Sequence, residues 1–333
     1  MKSKTIKSYL RRRLNRWIET IEDEEVKKIA SENSIITGGA IASLLLNEPV
    51  RDLDIYFRDK KTTLAIANYY CDQWNAARGK LTNHIGNSES VFVIDGEDVE
   101  RFKKGEIGIP DFAPNYVKDY PEWMVSRMIT NTTPDRVKVI YPSDGVVGET
   151  PEEVLEDMDQ IPEKVVEPEE DGEQKLHRPV FITTNSISLS GKIQLIIRFY
   201  GEPEEIHKNY DFEHCCCYWD ARSEELVTPE KSLLAILNKD LFYRGSLYPV
   251  CSVFRTRKFI KRGWNINAGQ YLKMCFQISQ LNLTDIDVLE DQLVGVDTVY
   301  FQQIITRLRV KMENDPNFSI DPLYVTSIID KIF

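Results

Sequence analysis

The chain has 333 residues, of which 42% are hydrophobic and 10% aromatic, enough to form the cores of two domains or of one domain with large insertions. Its apolar runs are far shorter than a bilayer span, and its basic N-terminus lacks the apolar stretch of a signal peptide. We therefore expect no membrane segment and a cytoplasmic location. The formal net charge of −11 argues against a nucleic-acid-binding protein with a broadly basic surface.

The first predicted elements are helices. Apolar side chains recur at helical spacing from Ile6 to Ile21 and predict an amphipathic helix, and a short second helix is predicted over residues 24–31. The first helix carries a basic cluster, which suits either a solvated helix face or an anion-binding surface. The cluster consists of Lys2, Lys4, Lys7, Arg11, Arg12, Arg13 and Arg16.

An aspartate pair lies in the stretch TGGAIASLLLNEPVRDLDIYF, residues 37–57. Asp52 and Asp54 open a predicted strand. Because alternate side chains of a strand share a face, both carboxylates point to one side while the apolar side chains point to the core. Two carboxylates on one face repel each other unless a cation lies between them. Mg²⁺ is the expected ion, since it prefers carboxylate and phosphate oxygens.

The glycine pair in the same stretch supplies the complementary half of a phosphate site. Gly38 and Gly39 lack a Cβ, which lets a phosphate approach the backbone. If residues 40–46 form a helix, its free N–H groups and its dipole face that phosphate. Ser43 lies further along this helix and is at most an auxiliary ligand. Together, the glycines and the aspartates predict a metal–phosphate site.

The middle of the chain alternates between predicted regular elements and loops. A helix is predicted over residues 62–74. Further along the chain, Gly191 marks a predicted turn between two strands. Residues 149–173 hold 12 acidic residues and one basic residue, which predicts an acidic mobile insertion near residues 145–176. Without this segment the chain is nearly neutral. Strands are predicted over residues 91–94, 137–141, 180–183 and 192–200.

Residues 201–220 read as a helical turn or two followed by another strand, DFEHCCCYWD. This strand contains three consecutive cysteines, Cys215 to Cys217, out of six in the chain. No CxxC spacing recurs, so we expect reduced, mostly buried thiols and do not favour a zinc site. The chain also lacks the GxxxxGK[ST] and GxGxxG patterns of other nucleotide-binding folds.

From residue 228 onward the pattern is helical. A second basic cluster falls on one predicted helix, where Arg255, Lys258 and Arg262 lie at i, i+3 and i+7 on one face. That face suits a triphosphate or the backbone of an acceptor strand, or it is a surface stripe covered by acidic residues. The predicted helices are at residues 229–238, 249–261, 268–281 and 298–312, with a last one from residue 321.

These motifs resemble the DNA polymerase β-type nucleotidyltransferase superfamily, in its CCA-adding enzyme and bacterial poly(A) polymerase branch. That branch carries GGxVRDxLLGRxxxDxD, in which 12 residues separate the glycines from the aspartates, as they do here. NYDFEHC, residues 209–215, is similar to its RRDFTINA motif, and VFRTRKFIKRGW, residues 253–264, is similar to its LRAVRFAARLGF helix. The spacing also resembles nucleotidyltransferase-like proteins of bacteriophages, which suggests a phage-encoded member.

The resemblance implies an α+β fold in three parts. N-terminal helices over residues 1–34 would precede a mixed-sheet, polymerase β-like nucleotidyltransferase domain over residues 35–227, which contains the acidic insertion. An all-helical domain over residues 228–333 would follow. The implied activity is transfer of a nucleoside monophosphate from an NTP, ATP or CTP first, with release of pyrophosphate. The implied acceptor is an RNA 3′ end, such as that of a tRNA.

The resemblance also implies a set of ligand-binding residues. Two Mg²⁺ ions would be held by Asp52, Asp54 and Asp211, with the third carboxylate next to the attacking hydroxyl. The phosphates would contact the backbone of the glycine pair, with Ser43 as a helper. The basic face would also contact the nucleotide. The implied nucleotide-binding residues are thus Gly38, Gly39, Ser43, Arg255, Lys258 and Arg262.

Two departures from the family pattern bear on activity. Ala42 and Ser43 stand where the branch has Arg-Asp, so its nucleotide-handling details do not carry over. Gln194 stands in the strand where that branch has an acid, and glutamine cannot supply negative charge. Asp211 is then the preferred third carboxylate, with Glu213 on the same predicted strand face as the alternative. Asp211 could instead cap the turn before that strand.

Three functions stay open at this point. The first is nucleotidyl transfer to an RNA 3′ end, and the second is the same chemistry on a protein or a small molecule. The third is a catalytically inactive protein that kept the fold for binding. The oligomeric state is also left open.

Overall fold

A computed structural model describes residues 2–79, 90–120, 122–130, 132–140, 177–292, 305, 308–312 and 320–321. The predicted acidic insertion near residues 145–176 lies outside these residues, as do most of the helix predicted at 298–312 and most of the last helix. The described chain forms two compact units. The first comprises Met1–Lys208 and Cys215–Pro229, and the second comprises Asn209–His214 and Glu230–Phe333.

The described elements include most of those predicted and several that were not predicted. The α-helices are α1 Ser3–Ile18, α2 Glu24–Asn33, α3 Gly39–Leu46, α4 Lys60–Gly79, α5 Gly96–Lys103, α6 Glu122–Ile129, α7 Pro203–His207, α8 Glu230–Asn238, α9 Pro249–Lys261, α10 Ala268–Ile278 and α11 Ile286–Gln292. The strands are β1 Ser34–Thr37, β2 Leu53–Phe57, β3 Phe92–Asp95, β4 Val137–Ile140, β5 Pro179–Ile182, β6 Ser186–Leu189, β7 Ile193–Ile196, β8 Tyr218–Asp220 and β9 Leu226–Val227.

A seven-stranded sheet forms the centre of the first unit, in the order β5-β6-β7-β2-β1-β8-β9. The sheet is mixed, because β2 pairs in parallel with β7 but antiparallel with β1. The strands β3 and β4 form a separate two-stranded sheet. The predicted α+β class with a mixed sheet is therefore confirmed, whereas the polymerase β-like topology stays a prediction.

The core of the first unit lies on the apolar face of this sheet. Leu53, Ile55 and Phe57 of β2 are each 0% exposed, as the alternation along the strand predicts. Helix α1 packs into the same unit, where Trp17 is 0% exposed and donates its Nε1–H to the Tyr70 hydroxyl over 2.7 Å. The N-terminal helices therefore form part of the sheet unit.

Part of the first basic cluster has structural partners in this unit. Arg11 forms an ion pair with Glu224, and Arg13 donates to the backbone carbonyl of Gly191. Gly191 lies in the turn between β6 and β7 with a φ of 86°, a backbone conformation that favours glycine. The turn predicted at this glycine is confirmed, although β6 itself was not predicted.

The second unit is built mainly of helices. Helix α9 begins and ends at the predicted residues, Pro249–Lys261. A cluster of buried apolar side chains that includes Cys251, Leu289 and Leu308 forms its core. Helix α11 was not predicted. In the part of the chain that the structure describes, no helix is long and apolar enough to cross a membrane.

The strand predicted over residues 211–220 was wrong in its first half. Glu213–Cys215 forms a 3₁₀ turn, and the strand begins only at Tyr218. The reason is that residues 211–214 pair with the loop before α9. Phe212 makes an isolated β-bridge with Tyr243, and the Glu213 N–H donates to the Phe242 carbonyl over 3.1 Å.

Candidate functional site

Strand pairing brings the two halves of the predicted metal–phosphate site together. β1 and β2 are antiparallel, and Thr37, the last residue of β1, pairs with Asp54 near the start of β2. Gly38 follows Thr37 directly, so helix α3 begins at the same end of the sheet as the two aspartates. Side chains that pair across strands lie on one face of the sheet. This register therefore places Asp54 beside the entry to α3.

The two glycines have different roles in the structure. Gly38 has a φ of 97° and a ψ of −158°, a conformation that is essentially restricted to glycine, and its N–H donates to the Cys215 carbonyl over 3.1 Å. Gly39 opens α3, and a Cβ added to it would meet no atom within 4 Å. The amide of Gly38 is thus used by the protein, and the open approach to the helix N-terminus lies at Gly39.

The face of β2 that carries Asp54 is polar where the other face is apolar. Asp52 is exposed and precedes the strand, and Asp54 is half-buried. Asp54 pairs in register with Gln194 of β7, which in turn pairs with Ser188 of β6. Gln194, the neutral residue that stands where the resembling branch has an acid, is therefore the direct strand neighbour of Asp54.

Gln194 has a fixed side-chain orientation. Its Nε2 donates to the Ser186 hydroxyl over 3.1 Å. That hydroxyl lies 3.0 Å from the hydroxyl of Thr183, which belongs to the same turn. The amide is therefore held by its nitrogen end, and Gln194 contributes a neutral side chain beside Asp54.

Ser43 lies in the second turn of α3 and is 3% exposed. Its backbone carbonyl accepts the N–H of Glu48 over 2.8 Å and so helps to end the helix. A phosphate ligand needs an accessible hydroxyl. The burial of Ser43 therefore argues against the auxiliary role considered for it.

A buried hydrogen-bond network behind the glycine turn was not foreseen from the sequence. The hydroxyl of Thr37 lies 2.8 Å from Nε2 of His207, the last residue of α7. It also donates to the Cys217 carbonyl over 2.9 Å. Thr37 and His207 are 170 positions apart, so no spacing could indicate this contact. A hydroxyl directly before a glycine pair, at the end of a buried strand, is the one local signal.

Asp211, the predicted third carboxylate, belongs to the second unit. It is 2% exposed, and its Oδ1 lies 3.3 Å from a guanidinium nitrogen of Arg255. Glu213, the alternative, pairs with Arg244 over 2.8 Å. Each carboxylate thus has an arginine partner within its own unit. The joint site of Asp211 with Asp52 and Asp54 stays a prediction.

The basic face of α9 carries the predicted side chains. Arg255 is half-buried, Lys258 is exposed, and Arg262 follows the last residue of the helix. Arg255 and Arg262 both lie close enough to His214 to act on its charge. Arg255 and Arg262 therefore lie near a buried aromatic wall, and the role of the three cations in binding phosphate stays a prediction.

That wall is centred on His214, which is 1% exposed. Its ring lies 4.2 Å from the ring of Trp264 and 4.5 Å from that of Phe259, measured between centroids. Burial, followed by the positive charges of Arg255 and Arg262, lowers the pKa of His214 to about 3. His214 is therefore neutral at physiological pH and acts as an aromatic core residue.

We predict that His214 makes stability depend on pH. Its pKa in the folded protein lies below that of an unfolded histidine, about 6.5, so the unfolded chain binds the extra proton between pH 6.5 and about 3. The stabilisation is complete above pH 6.5 and is lost as the pH falls. The substitution His214→Phe, which suits the aromatic surroundings, should flatten this dependence. Urea unfolding between pH 4.5 and 7.5 measures it, and an unchanged slope in the variant would contradict the assignment.

The cysteines behave as the sequence indicates. All six are free, and only Cys275 is exposed. Burial raises the pKa of Cys217 to about 12, which disfavours its thiolate. The Cys217 thiol is therefore a poor nucleophile and a poor metal ligand.

The Mg²⁺ that the resemblance implies can be compared with the donors present. Asp52 and Asp54 are two hard oxygen ligands at one end of the sheet. Among the residues that the structure describes, no group of three or more His, Cys, Asp or Glu side chains is placed to hold a metal ion. The donor set of the first unit thus fits a cation that is completed by ligand phosphates and water.

Comparison with known proteins gives a family. The family model described as "Gabija anti-defense 2 family protein" matches residues 8–239, well over half of the chain, including both glycines and both aspartates of the site. A curated relative, "Gabija anti-defense 2" of Bacillus phage SPbetaL7, is 21% identical over 131 residues, which are 39% of this chain and 32% of the relative. The aligned part of the chain thus spans about a third of that relative, whose phage source fits the predicted phage origin. No solved structure matches the chain. The chain belongs to the Gabija anti-defense 2 family.

Proposed function

We propose that this protein counteracts the Gabija defence by transferring a nucleoside monophosphate from an NTP to a macromolecule on which that defence depends. The family supports the biological role. The chemistry rests on one observation, the register of Thr37 with Asp54, which sets the N-terminus of α3 beside the aspartate pair. A phosphate-binding helix start and a pair of metal-binding carboxylates are the two parts that a nucleotide site of this kind needs.

The residues of the first unit would divide the work as follows. Asp52 and Asp54 would hold Mg²⁺, which neutralises phosphate charge when bound. The first free N–H groups of α3, starting at Gly39, would bind the β- and γ-phosphates. Positioning and charge neutralisation carry most of the catalysis in phosphoryl-type transfers, so little covalent chemistry falls to the protein.

The proposed reaction is balanced without a further co-reactant. A hydroxyl oxygen of the acceptor forms a bond with the α-phosphorus of the NTP, and the bond between that phosphorus and the oxygen leading to the β-phosphate breaks. Pyrophosphate leaves with the bonding electron pair, and the proton of the hydroxyl passes to water. The acceptor gains one nucleoside monophosphate.

A labelling experiment tests the proposal. The purified protein is incubated with Mg²⁺, each α-labelled NTP in turn, and either the purified Gabija proteins or total RNA from cells that carry the defence. Label on a Gabija protein supports the proposal with a protein acceptor. Label on RNA supports it with the RNA acceptor that the resemblance implies. Absence of label with every NTP, from a preparation that protects phage in cells, overturns it.

A second candidate function is inhibition of the Gabija defence by binding alone. The observation that favours it is Gln194, a neutral residue at the position beside Asp54 where the resembling branch has an acid. Under this alternative the nucleotide is a structural ligand or is sequestered. Protection of phage by a variant that has lost its aspartate pair would favour binding over transfer.

We predict that Gln194→Glu increases the affinity of the site for divalent cations. The new carboxylate would lie beside Asp54 and add negative charge, so Mn²⁺ should bind about tenfold more tightly. Without metal the variant should melt at a lower temperature, because like charges repel. Mn²⁺ titration followed by its electron spin resonance signal measures the affinity.

The matched control is Gln73→Glu, which makes the same change at a half-buried position on α4. It should leave Mn²⁺ affinity unaltered. If both variants bind Mn²⁺ as the unmodified protein does, Asp54 is not part of a cation site.

A further inference from the structure

The turn that carries the glycine pair is held by a set of buried hydrogen bonds. Thr37 and Cys217 are 0% exposed and His207 is 7% exposed, so the network is shielded from water. Gly38 adds a bond from its N–H to the Cys215 carbonyl over 3.1 Å. The end of β1, the end of α7 and residues 215–217 thus meet at one buried point.

The direction of each bond follows from donor chemistry. A carbonyl oxygen only accepts, so the Thr37 hydroxyl proton is used on Cys217 over 2.9 Å. The same hydroxyl oxygen must then accept from His207, over 2.8 Å. His207 therefore carries a hydrogen on Nε2. The chain of donors runs from the imidazole through the hydroxyl to the backbone.

This network is attached to the proposed site by covalent connection and by strand pairing. Thr37 precedes Gly38 and pairs in register with Asp54. A change in the position of Thr37 would therefore alter both the direction of the first turn of α3 and its separation from the aspartate. Catalytic groups lose much of their effect when they are misplaced by about 1 Å.

We propose that Thr37 and His207 are positioning residues for the nucleotide site, an inference that rests on the proposed function. Both side chains are buried, so they would act through the backbone of the turn. They hold the Gly38 turn so that the N–H groups at the start of α3 can bind a phosphate while the carboxylate of Asp54 binds the cation attached to that phosphate. The expected signature is a loss of nucleotide affinity that exceeds the loss of stability.

Substitutions in the network test this inference. Thr37→Val and His207→Leu remove the hydroxyl and the ring donor, and each should weaken binding of Mg²⁺ with a non-hydrolysable NTP at least tenfold. Thr37→Ser keeps the hydroxyl and His207→Gln keeps a donor near the position of Nε2, so both should stay within about threefold. Binding is measured by equilibrium dialysis, and thermal melting is recorded for each variant.

The matched control is Thr63→Val at the start of α4. Thr63 is also 0% exposed and donates its hydroxyl to the Asp59 carbonyl over 2.9 Å, beyond the end of β2 that is far from Asp54. It should lower the melting temperature as Thr37→Val does but leave nucleotide affinity unaltered. Equal affinity in Thr37→Val, Thr63→Val and the unmodified protein overturns the positioning role. Absence of nucleotide binding by the unmodified protein overturns the proposed function itself.

Discussion

Asp54→Asn should abolish nucleotidyl transfer and protection of phage against the Gabija defence. Asparagine keeps the size of the side chain and its place in β2 opposite Thr37, but it removes the charge that a divalent cation needs. We expect transfer to fall by at least about 100-fold, comparable with the loss of a principal electrostatic contact in other enzymes. The loss of transfer should exceed any loss of stability, because asparagine keeps the shape of this half-buried side chain.

Two measurements check this expectation. Plaque counts on cells that carry Gabija report protection, and transfer of labelled nucleotide reports the chemistry. The control is Asp72→Asn, which neutralises an exposed aspartate on α4 of the same unit and should change neither. If Asp54→Asn still protects phage fully, inhibition of the Gabija defence does not require the aspartate pair. Inhibition by binding alone is then favoured.

The local part of the site could be predicted from the sequence. The glycine pair, the helix after it and the alternation around Asp54 depend on backbone conformation and side-chain period within a few residues. The structure has α3 at Gly39–Leu46 and β2 at Leu53–Phe57, in agreement with these signals. The antiparallel pairing of β1 with β2, which brings these parts together across the connection that contains α3, was not predicted.

The remaining parts depend on contacts that no local pattern reveals. The segment that contains Asp211 alternates like a strand, yet its backbone pairs with residues near Tyr243 in the second unit. His207 lies in a predicted helical turn, and no local pattern indicates that it is 7% exposed and bonded to Thr37. Local propensity is overridden in both cases by tertiary packing, which single-sequence reasoning cannot weigh.

Replacement of each glycine by alanine should have a different effect on stability. In Gly38→Ala, the alanine must adopt a φ of 97° with a ψ of −158°. This conformation costs on the order of 1–3 kcal/mol for a residue with a Cβ and disturbs the turn before α3. The melting temperature should fall, and nucleotide affinity should fall with it.

Gly39→Ala should not lower the stability of the fold. Its Cβ meets no atom within 4 Å, and alanine stabilises a helix over glycine by roughly 0.5–1 kcal/mol, so the melting temperature should hold or rise. The added methyl group nevertheless occupies the open space where a phosphate would approach the first N–H groups of α3, so affinity for Mg²⁺ with an NTP should fall about tenfold or more. Loss of affinity without loss of stability separates a phosphate-binding turn from a purely structural one, because no folding defect can produce it. Unaltered affinity in Gly39→Ala would mean that the glycine pair serves only to start the helix.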